Sequence, residues 1–195
     1  MDRRIIFICL TLYCFNLNAQ KDIIATVNNY MSKHTKFNTL LFISINDQKL
    51  YHISSQKIIN TYIISSSKYG RGNKEGSNKT PLGIHKIEEK HGKYTPENGR
   101  MIGRVYYGDI AKIHYDKTIS KTDDITSRVL WLKGLEEGKN KGKGIDSYMR
   151  YIYIHGTSEE GLIGEPASHG CIRMKNKDVI DLFKEVSIGT FVLIL

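Results

Sequence analysis

Three short runs rich in β-branched and apolar residues follow one another early in the chain, at residues 40–45, 50–54 and 58–65. The polar residues 46–48, Asn-Asp-Gln, separate the first two runs and are a typical hairpin signal. Runs this short, bounded by turn residues, favour strands over helices. We therefore predict an antiparallel meander in this part of the chain.

The remaining elements are mostly strands as well. One strand follows the turn at residues 80–83, a strongly apolar one covers residues 151–155, and the last covers residues 190–195. Apolar residues recur with helical spacing at residues 21–34 and again after Asn176, which is predicted to cap the second helix. The predicted fold class is mainly β, one domain, with one or two peripheral helices.

Residues 90–146 show little periodicity and contain recurrent glycines, interrupted by the apolar stretch Val129–Leu132. A segment of this length is too long for an ordinary connection between elements. We therefore predict a functional role for it, as a lid or as a wall of the substrate cleft.

The first nineteen residues differ from the rest. Arg3 and Arg4 precede an apolar run at residues 5–15, and Ala19 offers a small residue for cleavage. This layout is typical of a secretory signal, so residues 1–19 are predicted to be a signal peptide and the protein to be exported to the periplasm. An uncleaved N-terminal anchor is the alternative, although the run is short for a membrane span.

Cysteine usage narrows the chemistry. Cys9 and Cys14 lie inside the predicted signal, so the exported chain retains Cys171 alone. A single cysteine forms no internal disulfide, and it is a buried bystander, half of an intermolecular bridge or a reactive thiol.

The chain is basic, with a formal net charge of +9 and a pI near 9.3. A basic surface suits anionic partners such as nucleic acid, acidic lipid or the polymers of a cell wall, although it also serves as a solubilising surface. Export argues against nucleic acid, and we expect no stable membrane span after signal cleavage.

The segment from His155 to Arg173 carries the chemistry. An ordinary thiol is only slightly ionised at neutral pH, so a nucleophilic Cys171 needs a base, and an imidazole can take its proton and return it to a leaving amine. His155 ends a predicted strand, and Cys171 lies just before the predicted helix. Gly170 leaves room for a substrate carbonyl, and the N–H groups around it can receive a developing oxyanion.

Two histidines compete for the role of base. His169 is so close to Cys171 in sequence that the intervening peptide limits how its ring is aimed, whereas His155 arrives on a separate strand. We favour His155 as the base and assign His169 a structural or orienting role. Zinc bound by both histidines and Cys171 is an alternative, but neither a Cys-x-x-Cys nor a His-Glu-x-x-His motif is present.

These residues resemble the L,D-transpeptidase catalytic domain, the YkuD family. The pattern is His-Gly at a strand end, a spacer, and Ser-His-Gly-Cys followed by an aliphatic residue and Arg, here residues 155–156 and 168–173. The turn at residues 80–83 and the stretch 128–136 also resemble the family, the latter its Gram-negative branch. The resemblance implies a β-sandwich catalytic domain at residues 38–195, preceded by a helical segment at residues 20–37.

The resemblance also implies roles for individual residues. Cys171 is the expected nucleophile and His155 the expected base, with the Gly156 carbonyl orienting its ring. Arg173 is expected to bind a substrate carboxylate or to form a structural salt bridge. Oxyanion or orienting roles fall to the remaining motif residues Ser168, His169 and Gly170, with N–H donors expected at His169, Gly170 and Cys171.

The implied reaction is ping-pong acyl transfer from peptidoglycan stem peptides. A thioester forms with release of D-Ala, and an amine then accepts the acyl group, giving 3–3 crosslinks or an anchored protein. No cofactor is expected, and carbapenems are expected covalent inhibitors of the same thiol. Alternatives are an L,D-carboxypeptidase with water as acceptor and a non-catalytic wall-binding or envelope protein.

Overall fold

The computed structural model describes residues 20–195, so the predicted signal peptide lies outside the described residues. The chain enters through helix α1 at residues 20–31, and helix α2 spans Asn176–Glu185. The ten strands are β1 Thr39–Ser44, β2 Lys49–Ser54, β3 Lys57–Ser65, β4 Gly83–His91, β5 Gly99–Ile102, β6 Val105–Ile110, β7 Ile125–Gly134, β8 Tyr153–Thr157, β9 Ile172–Met174 and β10 Phe191–Ile194.

All ten strands belong to one sheet, in the order β4-β10-β1-β2-β3-β9-β8-β7-β5-β6. Because β4 also pairs with β7, the sheet closes on itself and leaves the β5–β6 hairpin attached outside the ring. β1, β2 and β3 are the predicted antiparallel meander. The prediction of a mainly β fold is confirmed.

The main core lies inside the closed sheet. Alternate residues of the strands supply it, as Leu41 and Ile43 do on β1. Helix α2 adds Val179 and Leu182 to the same core, while α1 packs Val27 and other residues on the opposite face of β1 and β2. Both helices were predicted from their apolar spacing. In the part of the chain that the structure describes, no helix is long and apolar enough to cross a membrane.

Asn176 does not cap α2 as predicted. It is the first residue of the helix, and Lys175 occupies the N-cap position without a side-chain bond. The buried Asn176 side chain instead accepts hydrogen bonds from Thr126 and Ser127 (2.6 Å each) and donates one to the Thr157 carbonyl (2.8 Å). Because these hydrogen bonds join its side chain to strands β7 and β8, Asn176 connects the helix to the sheet.

Acid sensitivity is expected from His85 on β4, which is fully buried. Its imidazole contacts the Gly83 carbonyl (3.0 Å) and the Ser147 hydroxyl (2.9 Å), and burial lowers its pKa to about 4. In the unfolded chain this histidine protonates near its ordinary pKa of about 6.5. The contribution of His85 to the free energy of unfolding is therefore fully present above that pH, and about 3 kcal/mol is lost as the pH falls towards 4.

The variant His85→Gln isolates this contribution. Urea unfolding between pH 7 and pH 4.5 should show a clearly smaller loss of unfolding free energy in His85→Gln than in the wild type. Equal slopes in His85→Gln and the wild type would contradict the assignment.

Candidate active site

Side chains of strands β8 and β9 alternate between the two faces of the sheet, so that one face carries the core and the other carries the candidate site. They run parallel, with Ile154 beside Ile172 and His155 beside Arg173. The two isoleucines belong to the main core, so residues of the other parity lie on the opposite face. This register puts Cys171 level with Tyr153, against which it packs, and His155 two residues along on the same face. The predicted nucleophile and base therefore share one face of the sheet.

Cys171 is partly exposed and is held by the backbone of the preceding segment. Its Sγ accepts the N–H of Tyr153 (3.4 Å) and lies 3.3 Å from the carbonyl oxygen of Tyr151, to which the thiol donates. Burial raises the pKa of the thiol to about 11, while the Tyr153 N–H and the positive charges of Arg173 and Arg150 oppose the shift. This shift favours the thiol over the thiolate at neutral pH.

The His155 imidazole is buried, with its Nδ1 2.7 Å from the carbonyl oxygen of Gly156. A carbonyl only accepts hydrogen bonds, so Nδ1 carries the proton and Nε2 is the free basic nitrogen. Burial lowers the pKa of His155 to about 4, although the Gly156 carbonyl and Asp123 oppose the shift. A side chain at position 156 would meet the Asn176 side chain at 2.6 Å and the Thr126 carbonyl at 2.8 Å, so glycine is required beside the ring.

Thiol alkylation tests this neutral pair. With the pKa of Cys171 near 11, the rate with iodoacetamide should be about 10²-fold below that of a free cysteine peptide at pH 8, and should rise through pH 10 without a plateau. Mass spectrometry of samples quenched across a pH series gives the rates. A plateau of fast alkylation at pH 5–7 would mean a thiolate–imidazolium pair and would contradict the neutral assignment.

An ionic network with a buried centre lies behind the site. Arg173 Nη1 lies 2.6 Å from a carboxylate oxygen of Glu159, with both side chains 2% exposed, and its Nη2 contacts Asp123. The other oxygen of Asp123 is 2.7 Å from Nδ1 of the exposed His169, whose ring also lies near Tyr69. Desolvation opposes ionisation of Asp123, but Arg173, His155 and His169 keep the pKa of its carboxyl low.

This network bears on two sequence predictions. The guanidinium of Arg173 is engaged by two acids, which favours the structural salt bridge over a substrate-binding role. His169 is engaged by Asp123, which favours its orienting role. Asp123 and Glu159 were not anticipated from the sequence, because acidic residues in irregular segments carry no periodic signal. For Glu159, the available hint was its proximity in the chain to His155.

The loop before Cys171 shapes the candidate oxyanion site. The Ser168 hydroxyl donates to the Cys171 carbonyl (2.6 Å) and accepts the N–H of Gly170 (3.2 Å). Gly170 has a φ of +130°, a conformation that favours glycine. The Gly170 N–H is thus already bonded, which removes it from the predicted donors. The N–H groups of His169 and Cys171 have no acceptor within residues 20–195.

The surroundings of Cys171 differ from the sequence prediction in one respect. The residue was expected just before a helix, but the three-residue strand β9 lies between it and α2. The N–H groups available near the sulfur therefore belong to a loop and not to a helix N-terminus. Among the described residues, no group of three or more His, Cys, Asp or Glu side chains is placed to hold a metal ion.

Comparison with known proteins identifies the family to which this chain belongs. The L,D-transpeptidase catalytic domain model (YkuD) matches residues 38–194. Two curated Bacillus subtilis proteins named as L,D-transpeptidases align in part: YqjB is 48% identical over 52 residues, and YkuD 56% over 41 residues. These alignments cover 27% and 21% of this chain and only 28% and 25% of the relatives.

A solved structure has the same fold. The crystal structure of an L,D-transpeptidase from Mycobacterium tuberculosis H37Rv superposes with a TM-score of 0.50 at 13% identity, covering 81% of this chain and 57% of that one. At this identity the likeness concerns the fold alone. The family match, by contrast, covers most of the chain and includes both Cys171 and His155. This chain therefore belongs to the YkuD family of L,D-transpeptidase catalytic domains.

Proposed function

We propose that this chain is a peptidoglycan L,D-transpeptidase that works through a thioester on Cys171. One observation carries the proposal: the thiol and the buried imidazole of His155 lie on the same face of the paired strands β8 and β9. The tautomer fixed by the Gly156 carbonyl leaves Nε2 as the basic nitrogen. Nucleophilic catalysis needs this combination of a thiol and an independently oriented base.

In the first half of the reaction, Sγ of Cys171 attacks the carbonyl carbon at the L-centre of the third stem residue, meso-diaminopimelate. Because both groups are neutral at rest, the thiol proton passes to His155 Nε2 as the C–S bond forms. The backbone N–H groups of His169 and Cys171 are the proposed donors to the oxyanion. The imidazolium then protonates the leaving amine, the C–N bond breaks, and D-Ala departs.

In the second half, an acceptor amine attacks the thioester. Its excess proton passes to His155, the C–S bond breaks, and the sulfur recovers its proton from the imidazolium. The thioester conserves the energy of the cleaved amide, so crosslinking needs no ATP. Water in place of the amine would give an L,D-carboxypeptidase with the same residues. A carbapenem is a proposed covalent inhibitor, because its strained lactam carbonyl is open to the same thiol.

The substrate also places the proposed work of the protein outside the cytoplasm. We propose that residues 1–19 direct export and that residues 38–195 form the catalytic domain in the cell envelope. Cell fractionation with N-terminal sequencing of the mature protein tests this. Recovery of the full-length chain in the cytoplasm, with its N-terminal residues intact, would contradict export.

Product analysis tests the reaction. Purified protein incubated with a disaccharide-tetrapeptide should release D-Ala and yield a 3–3 crosslinked dimer, separated by liquid chromatography and identified by mass spectrometry. Cys171→Ala should form neither product. Tripeptide without dimer would identify a carboxypeptidase instead. Unchanged tetrapeptide with folded, reduced wild-type protein would contradict both enzymatic functions.

A further inference from the structure

The β5–β6 hairpin brings an arginine to the aromatic residues beside Cys171. Gly103 and Arg104 form its two-residue turn, with φ values of +55° and +70°. Two central residues at positive φ are typical of a type I′ hairpin turn, where Asn and Gly are the usual residues. Arginine is a disfavoured residue in this conformation. The unusual residue at the tip suggests a use for its side chain.

The Arg104 guanidinium is fixed on an aromatic surface. It lies 4.3 Å from the centre of the Trp131 ring, and its Nη1 donates to the hydroxyl of Tyr153 (3.1 Å). The Trp131 ring is itself stacked on Tyr148, with centroids 4.1 Å apart. An arginine held against an aromatic ring and a tyrosine hydroxyl in this way loses little further freedom when it binds a ligand.

Most donors of Arg104 remain unused. A guanidinium has five N–H groups, of which one is bonded to Tyr153. No carboxylate within residues 20–195 forms a salt bridge with Arg104. The charge of Arg104 helps to lower the pKa of the Glu89 carboxyl, but the two oxygens of that carboxyl contact Tyr148 and His91. Arg104 is partly exposed, so its free donors are open to a ligand.

Tyr153 connects this arginine to the sulfur. Its hydroxyl accepts from Arg104, and its main-chain N–H donates to Sγ of Cys171. Cys171 packs against the cluster formed by Trp131, Tyr153 and Met101. The guanidinium and the reacting sulfur therefore lie on the same face of the sheet, at opposite ends of Tyr153.

We propose that Arg104 is a specificity-determining residue that binds a carboxylate of the stem peptide. The inference rests on the proposed function and extends it. A tetrapeptide stem offers the D-Ala carboxylate, next to the scissile amide, and the carboxylate at the far end of the diaminopimelate side chain. The latter is favoured because Tyr153 separates the guanidinium from the sulfur that attacks the scissile carbonyl. Arginine suits either, because its planar fork binds carboxylates through two parallel hydrogen bonds.

Binding measurements test the inference without turnover. Calorimetry with Cys171→Ala protein should give a dissociation constant about 10- to 100-fold lower for the free tetrapeptide than for one amidated at the side-chain carboxylate, as expected for a charge-assisted pair. Adding Arg104→Gln should abolish this preference. Amidation of the terminal D-Ala carboxylate should raise the dissociation constant less than amidation of the side-chain carboxylate. A larger increase from amidation at D-Ala would assign Arg104 to the D-Ala carboxylate.

Arg100→Gln is the matched control, because Arg100 lies on the same hairpin but its Nε pairs with Asp124 at 2.7 Å. It should keep the preference for the free carboxylate. Iodoacetamide should alkylate Cys171 at the same rate in Arg104→Gln and the wild type, which checks that the site is intact. An Arg104→Gln loss that is equal for free and fully amidated peptides would overturn the inference. Wild-type protein without turnover but with the Arg104-dependent preference would reject only the proposed function.

Discussion

Cys171→Ala should lower turnover of the tetrapeptide at least about 10³-fold, because no other thiol lies in the described residues and the proposed reaction has no path without the C–S bond. The fold should survive. The side chain is partly exposed, and its loss frees only the weak contacts to Tyr153 and Tyr151, which costs about 1 kcal/mol. Steady-state kinetics and thermal unfolding of the same preparation separate the two effects.

Cys171→Ser is the matched control for this substitution. Its hydroxyl can keep the hydrogen bonds to the Tyr153 N–H and the Tyr151 carbonyl, so stability should be close to that of the wild type. Turnover should still fall strongly, because a hydroxyl is a poorer nucleophile at this pH. Wild-type turnover in the alanine variant would assign the chemistry to another group.

Arg173→Met should destabilise the fold by about 3–5 kcal/mol, because it leaves the carboxylate of Glu159 buried without its partner. Glu159 also accepts the N–H of Ser120 (2.7 Å), which alone does not neutralise the charge. The double variant Arg173→Met/Glu159→Gln removes the stranded charge and should recover part of the loss. Urea unfolding of the wild type, both single variants and the double variant gives the coupling energy.

The same variants discriminate between the two roles considered for Arg173. A structural salt bridge predicts loss of stability in Arg173→Met and partial recovery in the double variant. A substrate-binding arginine predicts weaker binding of the peptide with unfolding free energy within about 1 kcal/mol of the wild type. The second pattern would contradict the role inferred from its buried contacts with Glu159 and Asp123.

Regular periodicity explains what the sequence predicted well. Strands β1 to β3 were anticipated because they are short runs rich in apolar and β-branched residues, which pack into cores on both sides of the sheet. Helix α1 was anticipated because its apolar residues share one face. The pairing of His155 with Cys171 was predicted from a motif made of two short segments, residues 155–156 and 168–173, that are separated by a short spacer. In each case the signal lies in short stretches of neighbouring residues.

Long-range contacts explain what was missed. Asn176 was expected to cap its helix by a local rule, but strands β7 and β8 compete successfully for its side chain. Strand β9 has only three residues, so it leaves no pattern distinct from a loop. Strand β6 is exposed on both faces over most of its length, so it lacks the alternation that identifies a strand. Asp123 reaches Arg173 and His169 only through tertiary folding.

Intact-protein mass spectrometry, with peptide mapping, tests the central proposal most directly. Folded, reduced protein is mixed with meropenem and, separately, with a disaccharide-tetrapeptide. We expect a stoichiometric covalent adduct with meropenem and a transient acyl-enzyme with the peptide, both mapped to Cys171 and absent from Cys171→Ala. No adduct with either compound, or adducts that persist in the alanine variant, would contradict a nucleophilic role for this cysteine.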